Sequence, residues 1–457
     1  MQMSPKRNLY KWVLFLALPM ALQNIITFSV GLTDNIMVGS LGEVALSGVY
    51  VANQLQNILQ MLVIGLGAAI TVLAVQYWGK RDTDSVKTII GIAIKFSIGA
   101  SLLFFIATLF FPVQILRIFT NEEKVITEGL KYMNIIRFTY IFFSITQVLI
   151  ASMRCVERVK IGMYVSIVTF FVNVSLNWIL IFGHFGAPAL GIRGSATATL
   201  IARILETIIM IVYVRFIDDK LHLRFKDLLR SNFVLLKDFY RYGLPVVLGD
   251  VLWGINIAVQ GAIIGRLGQT ALASVSISTV VFSMIGVAVY GTAGASAVII
   301  GQTVGSGDYN RVKQYAKKLQ ILFIIIGVIS GIVLFVAKDY ILLLYNVSGS
   351  TIIMATQFLT VLSITMVGTS YQMSSLTGIV RPGGSIYFVL VNDLIFVWLV
   401  VIPSALLAAF VFHASPLIVF ICLKSDQILK CGVAVMKVNR FEWIRNLTRK
   451  SVSVTKA

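Results

Sequence analysis

The chain has 457 residues, of which 58% are hydrophobic and only 12% charged, where soluble domains carry about 25% charged residues. Val44–Gly79, Leu267–Gly307 and Tyr340–Val380 contain no Asp, Glu, Lys or Arg, and roughly 20 apolar residues suffice to cross a bilayer. A soluble enzyme, a disulfide scaffold and a disordered chain are excluded, and the fold class is an all-α membrane protein.

Twelve transmembrane helices are predicted, at roughly 11–38, 45–78, 88–112, 131–153, 161–182, 194–217, 243–265, 270–304, 319–337, 351–380, 386–409 and 416–436. The first is too long for a cleavable signal and contains Asp34. With the N-terminus placed in the cytoplasm, 27 of the 38 Lys and Arg fall in inner segments and 6 in outer ones. Inner loops collect basic residues, so both termini are expected to be cytoplasmic in a multi-pass bacterial inner-membrane protein. The net charge of +19 is then an orientation signal and implies no nucleic acid. Cys155, Cys422 and Cys431 form no disulfide framework, the last two facing opposite sides of one predicted helix.

The longest polar stretch lies at the midpoint, where Leu221, Leu223, Phe225, Leu228 and Leu229 read as a short amphipathic piece on the inner face. It gives an N-terminal lobe of helices 1–6 over residues 1–217, a linker over 218–242, a C-terminal lobe of helices 7–12 over 243–436 and a basic tail over 437–457. The lobes repeat. At a fixed offset of 226, residues 18–87 share 18 identities in 70 with residues 244–313. Gln76-x-x-Gly79-x-x-Asp82 recurs as Gln302-x-x-Gly305-x-x-Asp308. Six helices separate the copies, so the two pseudo-symmetric six-helix lobes run parallel, as in two-lobed transporters. A channel usually gains symmetry from separate subunits.

Ionisable groups within the membrane are costly and usually functional. Along helix 1, Asn24, Thr27, Gly31 and Asp34 share one face, and Asp34 has no basic neighbour in sequence. Asn53, Asn57 and Gln60 form a polar face on helix 2, and Asn173 and Asn177 another on helix 5. A desolvated carboxylate among amides can hold a proton, a metal cation or a cationic substrate; competition among these is the logic of an antiporter. Asp250, with Trp253, Asn256 and Gln260, and Asp393 on helix 11 make a second candidate site, and Met284, Met366, Tyr371 and Met373 are candidate cavity residues. Na⁺ could occupy Asp34 or Asp250; no structural metal site is expected, since no His/Cys cluster has zinc spacing. Glu206 beside Arg203, and Asp426 between Lys424 and Lys430, read as local ion pairs. No GxxxxGK[ST] loop is present, so ATP is not the direct energy source.

In order and spacing, several motifs together resemble the multidrug and toxic compound extrusion (MATE) transporters. They are Asp34-x-x-x-Val38-Gly39-x-Leu41-Gly42, the Gln-x-x-Gly-x-x-Asp pair, Asn173-x-x-x-Asn177-Trp, Gly191-x-x-Gly194-Ser-Ala-x-Ala-Thr199, Gly243-Leu-Pro245 and Gly378-Ile-x-Arg381-x-Gly-Gly384. The resemblance implies two six-helix lobes and export of cationic amphipathic compounds in exchange for H⁺ or Na⁺, with no other cofactor, by a monomer. In one branch a helix-1 acid works with two helix-5 positions and a helix-6 Thr, which correspond to Asp34, Asn173, Asn177 and Thr199. Asn177 departs from the Asp common there and removes one charge. In another branch acids on helices 7 and 11 carry coupling, corresponding to Asp250 and Asp393; Ser385 stands where Asp is common after the paired glycines. A lipid-headgroup flippase is the alternative, and it would need a basic cleft rather than acids and amides.

Overall fold

A computed structural model describes residues 8–230, 232–343 and 347–449, which form helices and no strands. Lipid offers the backbone no hydrogen bonds, so each apolar span must satisfy its own peptide groups as a helix. The spans are α1 (Leu9–Gly39), α2 (Glu43–Gly79), α3 (Thr83–Phe110), α4 (Glu123–Ile136 and Thr139–Cys155), α5 (Lys160–Phe182) and α6 (Ile192–Val212). They continue as α7 (Phe233–Gly265), α8 (Gln269–Gly305), α9 (Tyr309–Leu342), α10 (Gly349–Val380), α11 (Ile386–Val411) and α12 (Pro416–Lys424 and Asp426–Arg440). Nine of these, and the bent α4 as a tenth, are long and apolar enough to cross a membrane. α6 and α12 carry the ion pairs Arg203–Glu206 and Lys430–Asp426.

Helix boundaries differ from expectation where local chemistry intervenes. α4 begins at Glu123, inside the expected outer loop, because an amphipathic stretch buries Val125 and Ile126; the helix then bends by 54° after Ile136. α7 begins at Phe233, inside the expected linker, where the Asn232 side chain accepts from the Val234 and Leu235 amides. The linker itself buries Leu221 and Leu223 but exposes Phe225. α12 is interrupted at Ser425, so Cys422 and Cys431 lie on separate helical segments.

The 226-residue repeat runs much further than the matched sequence. α2, α3, α4 and α5 begin at Glu43, Thr83, Glu123 and Lys160, and α8, α9, α10 and α11 at Gln269, Tyr309, Gly349 and Ile386, each pair at the same offset. Two compact units emerge. One takes Leu22–Ile70 and Thr83–Val251; the other takes Thr71–Asp82 with the described residues before Leu22 and after Val251. The unit boundaries fall inside α1, α2 and α7, and paired glycines give the reason. In the first unit, Gly65 of α2 presses on the backbone of Val247 in α7, where an added Cβ would lie 2.8 Å from Val247 Cα. In the second, its repeat equivalent Gly291 of α8 lies as closely on Ala17 of α1. Small residues let membrane helices approach backbone to backbone.

The Gln-x-x-Gly motif makes a reciprocal crossing within the second unit. A Cβ on Gly79 would overlap the Gln302 carbonyl, and one on Gly305 would overlap the Gln76 carbonyl. The Gln76 amide donates to Pro382 O at 2.8 Å, and its Oε1 accepts from the Leu447 amide at 2.8 Å. The last Asp of the second copy, Asp308, caps α9 by accepting from Arg311 N at 3.1 Å.

The C-terminal segment is therefore packed structure as well as a carrier of basic charge. Trp443 is completely buried and fills the space over Gly383, and Arg445 N donates to Gly383 O at 2.7 Å. This is why the paired glycines at 383 and 384 tolerate no side chain. Trp443→Ala should remove on the order of 3 kcal/mol of stability, seen as an earlier thermal aggregation midpoint of the detergent-purified protein. Gly383→Ala should shift it the same way, by collision with the indole.

Candidate functional site

In the first unit, α1, α5 and α6 bring four expected residues together. The α5 amides Asn173 and Asn177 are one turn apart and almost wholly buried. Asn177 Nδ2 donates to Asp34 Oδ1 at 2.5 Å and to Asn173 Oδ1 at 3.1 Å, and Asn173 Nδ2 reaches Thr199 Oγ1 at 3.4 Å. Gly194 makes the last contact possible, since any side chain there would strike the Leu180 backbone of α5.

The chain of bonds leaves one acceptor idle. Asn177 Oδ1 is buried and has no hydrogen-bond partner among the described residues, which is costly for a polar atom away from water. Together with the Asp34 carboxylate it offers oxygen ligands to a proton or a hard monovalent cation. Among the described residues no three His, Cys, Asp or Glu side chains gather as a metal cluster, so the site is one of amides and a single carboxylate.

The surroundings are polar but compensated. Arg203 pairs with Glu206 at 2.7 Å and stacks its guanidinium 5.1 Å from the Phe143 ring, while Thr207 and Thr146 share a hydrogen bond of 2.9 Å. Tyr132 is buried and lies within electrostatic reach of Asp34, as does Arg203. Tyr132 was not legible as a site residue, because nothing in its own segment signals a neighbour on α1. Where α1 ends and α2 begins, a cavity of about 540 Å³ is lined by Asn35, Ser47, Tyr50, Thr120 and Glu122.

Other expected residues lie elsewhere. Thr27 spends its hydroxyl on Gln23 O of its own helix at 3.0 Å. Asn24 and Gln60 are half-buried, and Asn57, Trp253 and Met284 are exposed. Asp250 belongs to the first unit and Asp393 to the second. Asp393 Oδ1 accepts from Lys430 Nζ at 2.8 Å, and the same ammonium lies 3.3 Å from Asp426. Gln260 donates to Asn256 at 3.1 Å and accepts from Lys424 at 2.9 Å. Met366 has no exposed surface and Met373 packs against the same core, while Tyr371 is buried and donates to Gln320 at 2.6 Å. Packing and an internal hydrogen bond occupy these three side chains, and Met366 fronts no cavity.

Residues 19–179 and 245–407 match the MatE family model. The chain is 26% identical over 88% of its length to the probable multidrug resistance protein YoeA of Bacillus subtilis, covering 88% of that protein. It is 24% identical to the probable multidrug resistance protein NorM of Thermotoga maritima, over 97% of this chain and 95% of the relative. Among solved structures, a MATE crystallised in complex with MaL6 superimposes with a TM-score of 0.85 at 17% identity, over 95% of this chain and 98% of that one. An outward-facing multidrug resistance MATE transporter gives 0.83 at 18% identity, over 95% and 97%.

The Arg203–Glu206 pair yields a test of the site's frame. Removing one partner of a buried pair leaves an uncompensated charge and costs about 3–5 kcal/mol. Arg203→Met should therefore lower the thermal midpoint sharply, and Arg203→Met combined with Glu206→Leu should recover most of the loss.

Proposed function

The chain belongs to the MatE family of multidrug efflux transporters, and on that premise we propose that it exports cationic amphipathic compounds in exchange for H⁺ or Na⁺ bound at Asp34. One observation carries this reading. Glu206, Asp393 and Asp426 each lie within 3.3 Å of a Lys or Arg nitrogen, whereas Asp34 is held by an amide. Its charge is left for something that comes and goes. Asn177 fixes the carboxylate through one oxygen, and the idle Asn177 Oδ1 supplies a further ligand beside it.

In the proposed cycle, Asp34 without a bound ion attracts the organic cation. Entry of H⁺ or Na⁺ from outside neutralises the carboxylate and favours release, so the inward ion gradient drives export. Alternating access of two parallel repeats makes this exchange obligatory rather than a leak. Asp393 is less suited to the role, since Lys430 already occupies it; Asp250 is the second candidate. The protein acts as a monomer in the inner membrane of a bacterium, both termini in the cytoplasm, and the Lys and Arg distribution supports that orientation.

The experiment uses proteoliposomes with an imposed pH or Na⁺ gradient and a fluorescent organic cation. Dye movement should follow one of the two gradients, and Asp34→Asn should slow it by roughly tenfold or more, equivalent to about 1.4 kcal/mol. Dye movement unaffected by either gradient would sink the exchange reading. Normal transport by Asp34→Asn would remove Asp34 from it.

A further inference from the structure

We infer that the second unit holds a charge-inverted counterpart of the Asp34 site, in which Lys424 receives the anionic group, a carboxylate, of an amphoteric substrate. This rests on the export reading above.

The repeat register places the two sites. At the offset of 226, Asp34 of α1 corresponds to Gln260 of α7, and Thr199 of α6 to Ser425 of α12. In the first unit this pair of helices presents a carboxylate. In the second, the carboxylate has become an amide, and Lys424, next to Ser425, donates to Gln260 Oε1 at 2.9 Å. The corresponding α6 residue is Ala198, which carries no charge. The equivalent helix pair therefore presents a carboxylate in one unit and an ammonium in the other, from different members of the pair.

Lys424 lies deep. It sits within the span expected over 416–436, eight residues and roughly 12 Å along the helix from Pro416. An ammonium there is expensive unless paired. Lys430 solves the problem for itself, being almost fully buried against both Asp393 and Asp426. Lys424 has no carboxylate within 4.0 Å among the described residues. Besides Gln260 it meets the Phe420 ring, 5.6 Å from the centroid, and feels Asp426 only at a distance. That distant charge makes the site tolerable when empty, while two of the three ammonium donors have no described partner.

Two independent features mark the place as built for a ligand. α12 breaks immediately after Lys424, between its segments Pro416–Lys424 and Asp426–Arg440, and interrupted helices near the midplane commonly form transporter binding sites. The neighbouring α11 winds as a π-helix over Leu394–Val401, a distortion frequent at functional positions. Lys424 and Gln260 are also only half-buried. The charge calls for an anion. In a carrier of organic cations, an anionic group that travels with the cation is part of an amphoteric molecule.

The test compares tetramethylrhodamine, a zwitterion with a free carboxylate, and its methyl ester, a cation with the same chromophore. Binding to the full-length protein in nanodiscs is read by fluorescence anisotropy. Lys424→Met should weaken binding of the acid about tenfold and leave the ester unchanged, which also shows the variant to be folded; Lys424→Arg should retain the preference. Equal acid affinity in wild type and Lys424→Met, with the ester still bound, overturns this inference alone. Failure of the wild type to bind either dye overturns it together with the export reading.

Discussion

A charge in hydrocarbon has no water to fall back on, and the layout of this protein follows from how each membrane-embedded charge is compensated. Arg203 and Glu206 answer each other one turn apart on α6, so that helix can carry two charges through an apolar layer. On α12, one lysine ties together its own Asp426 and Asp393 of α11, fixing α12 against a neighbour that offers mostly aliphatic surface. What these pairs leave over is informative. Asp34 has an amide where a cation would be expected, and Lys424 an amide where an anion would be.

Backbone proximity is the second element of the architecture. Gly65 and Gly291, and Gly79 and Gly305, are repeat equivalents that make equivalent approaches. Such contacts gain dispersion energy along whole helical turns and exclude lipid without using polar groups. They also explain why the compact units do not coincide with the sequence halves. The first turns of α1 pack on α8, those of α7 on α2, and each is counted with the helix it touches. The C-terminal segment uses the same economy, laying Trp443 on glycine backbone at the junction after α10.

Duplication supplied two copies of one frame, and the polar residues placed on it diverged. Four of the six helix starts remained in exact register while Asp34 and Gln260 came to differ. A frame that fixes helix positions through small residues leaves the lining positions free to change, which suits a family of exporters. The arrangement proposed here, one site for a cation and one for an anion, uses that freedom.

Much was legible in the sequence alone. Hydrophobic run length marked most of the spans, and the constant offset between matched Gly, Gln and Asp residues revealed the repeat. The Asp34, Asn173, Asn177 and Thr199 group was legible too, partly from helical spacing and partly from the family resemblance. Only the tertiary structure decided that Asn177 bonds Asp34 and keeps an idle oxygen, that Lys430 neutralises Asp393, that Lys424 meets Gln260, and that Trp443 folds back on Gly383. The physical reason is that helical periodicity reports which face a residue occupies, whereas compensation of a buried charge depends on a partner brought close by packing. Lys424 and Gln260 are 164 positions apart, and no local pattern in an apolar helix encodes what lies across from it.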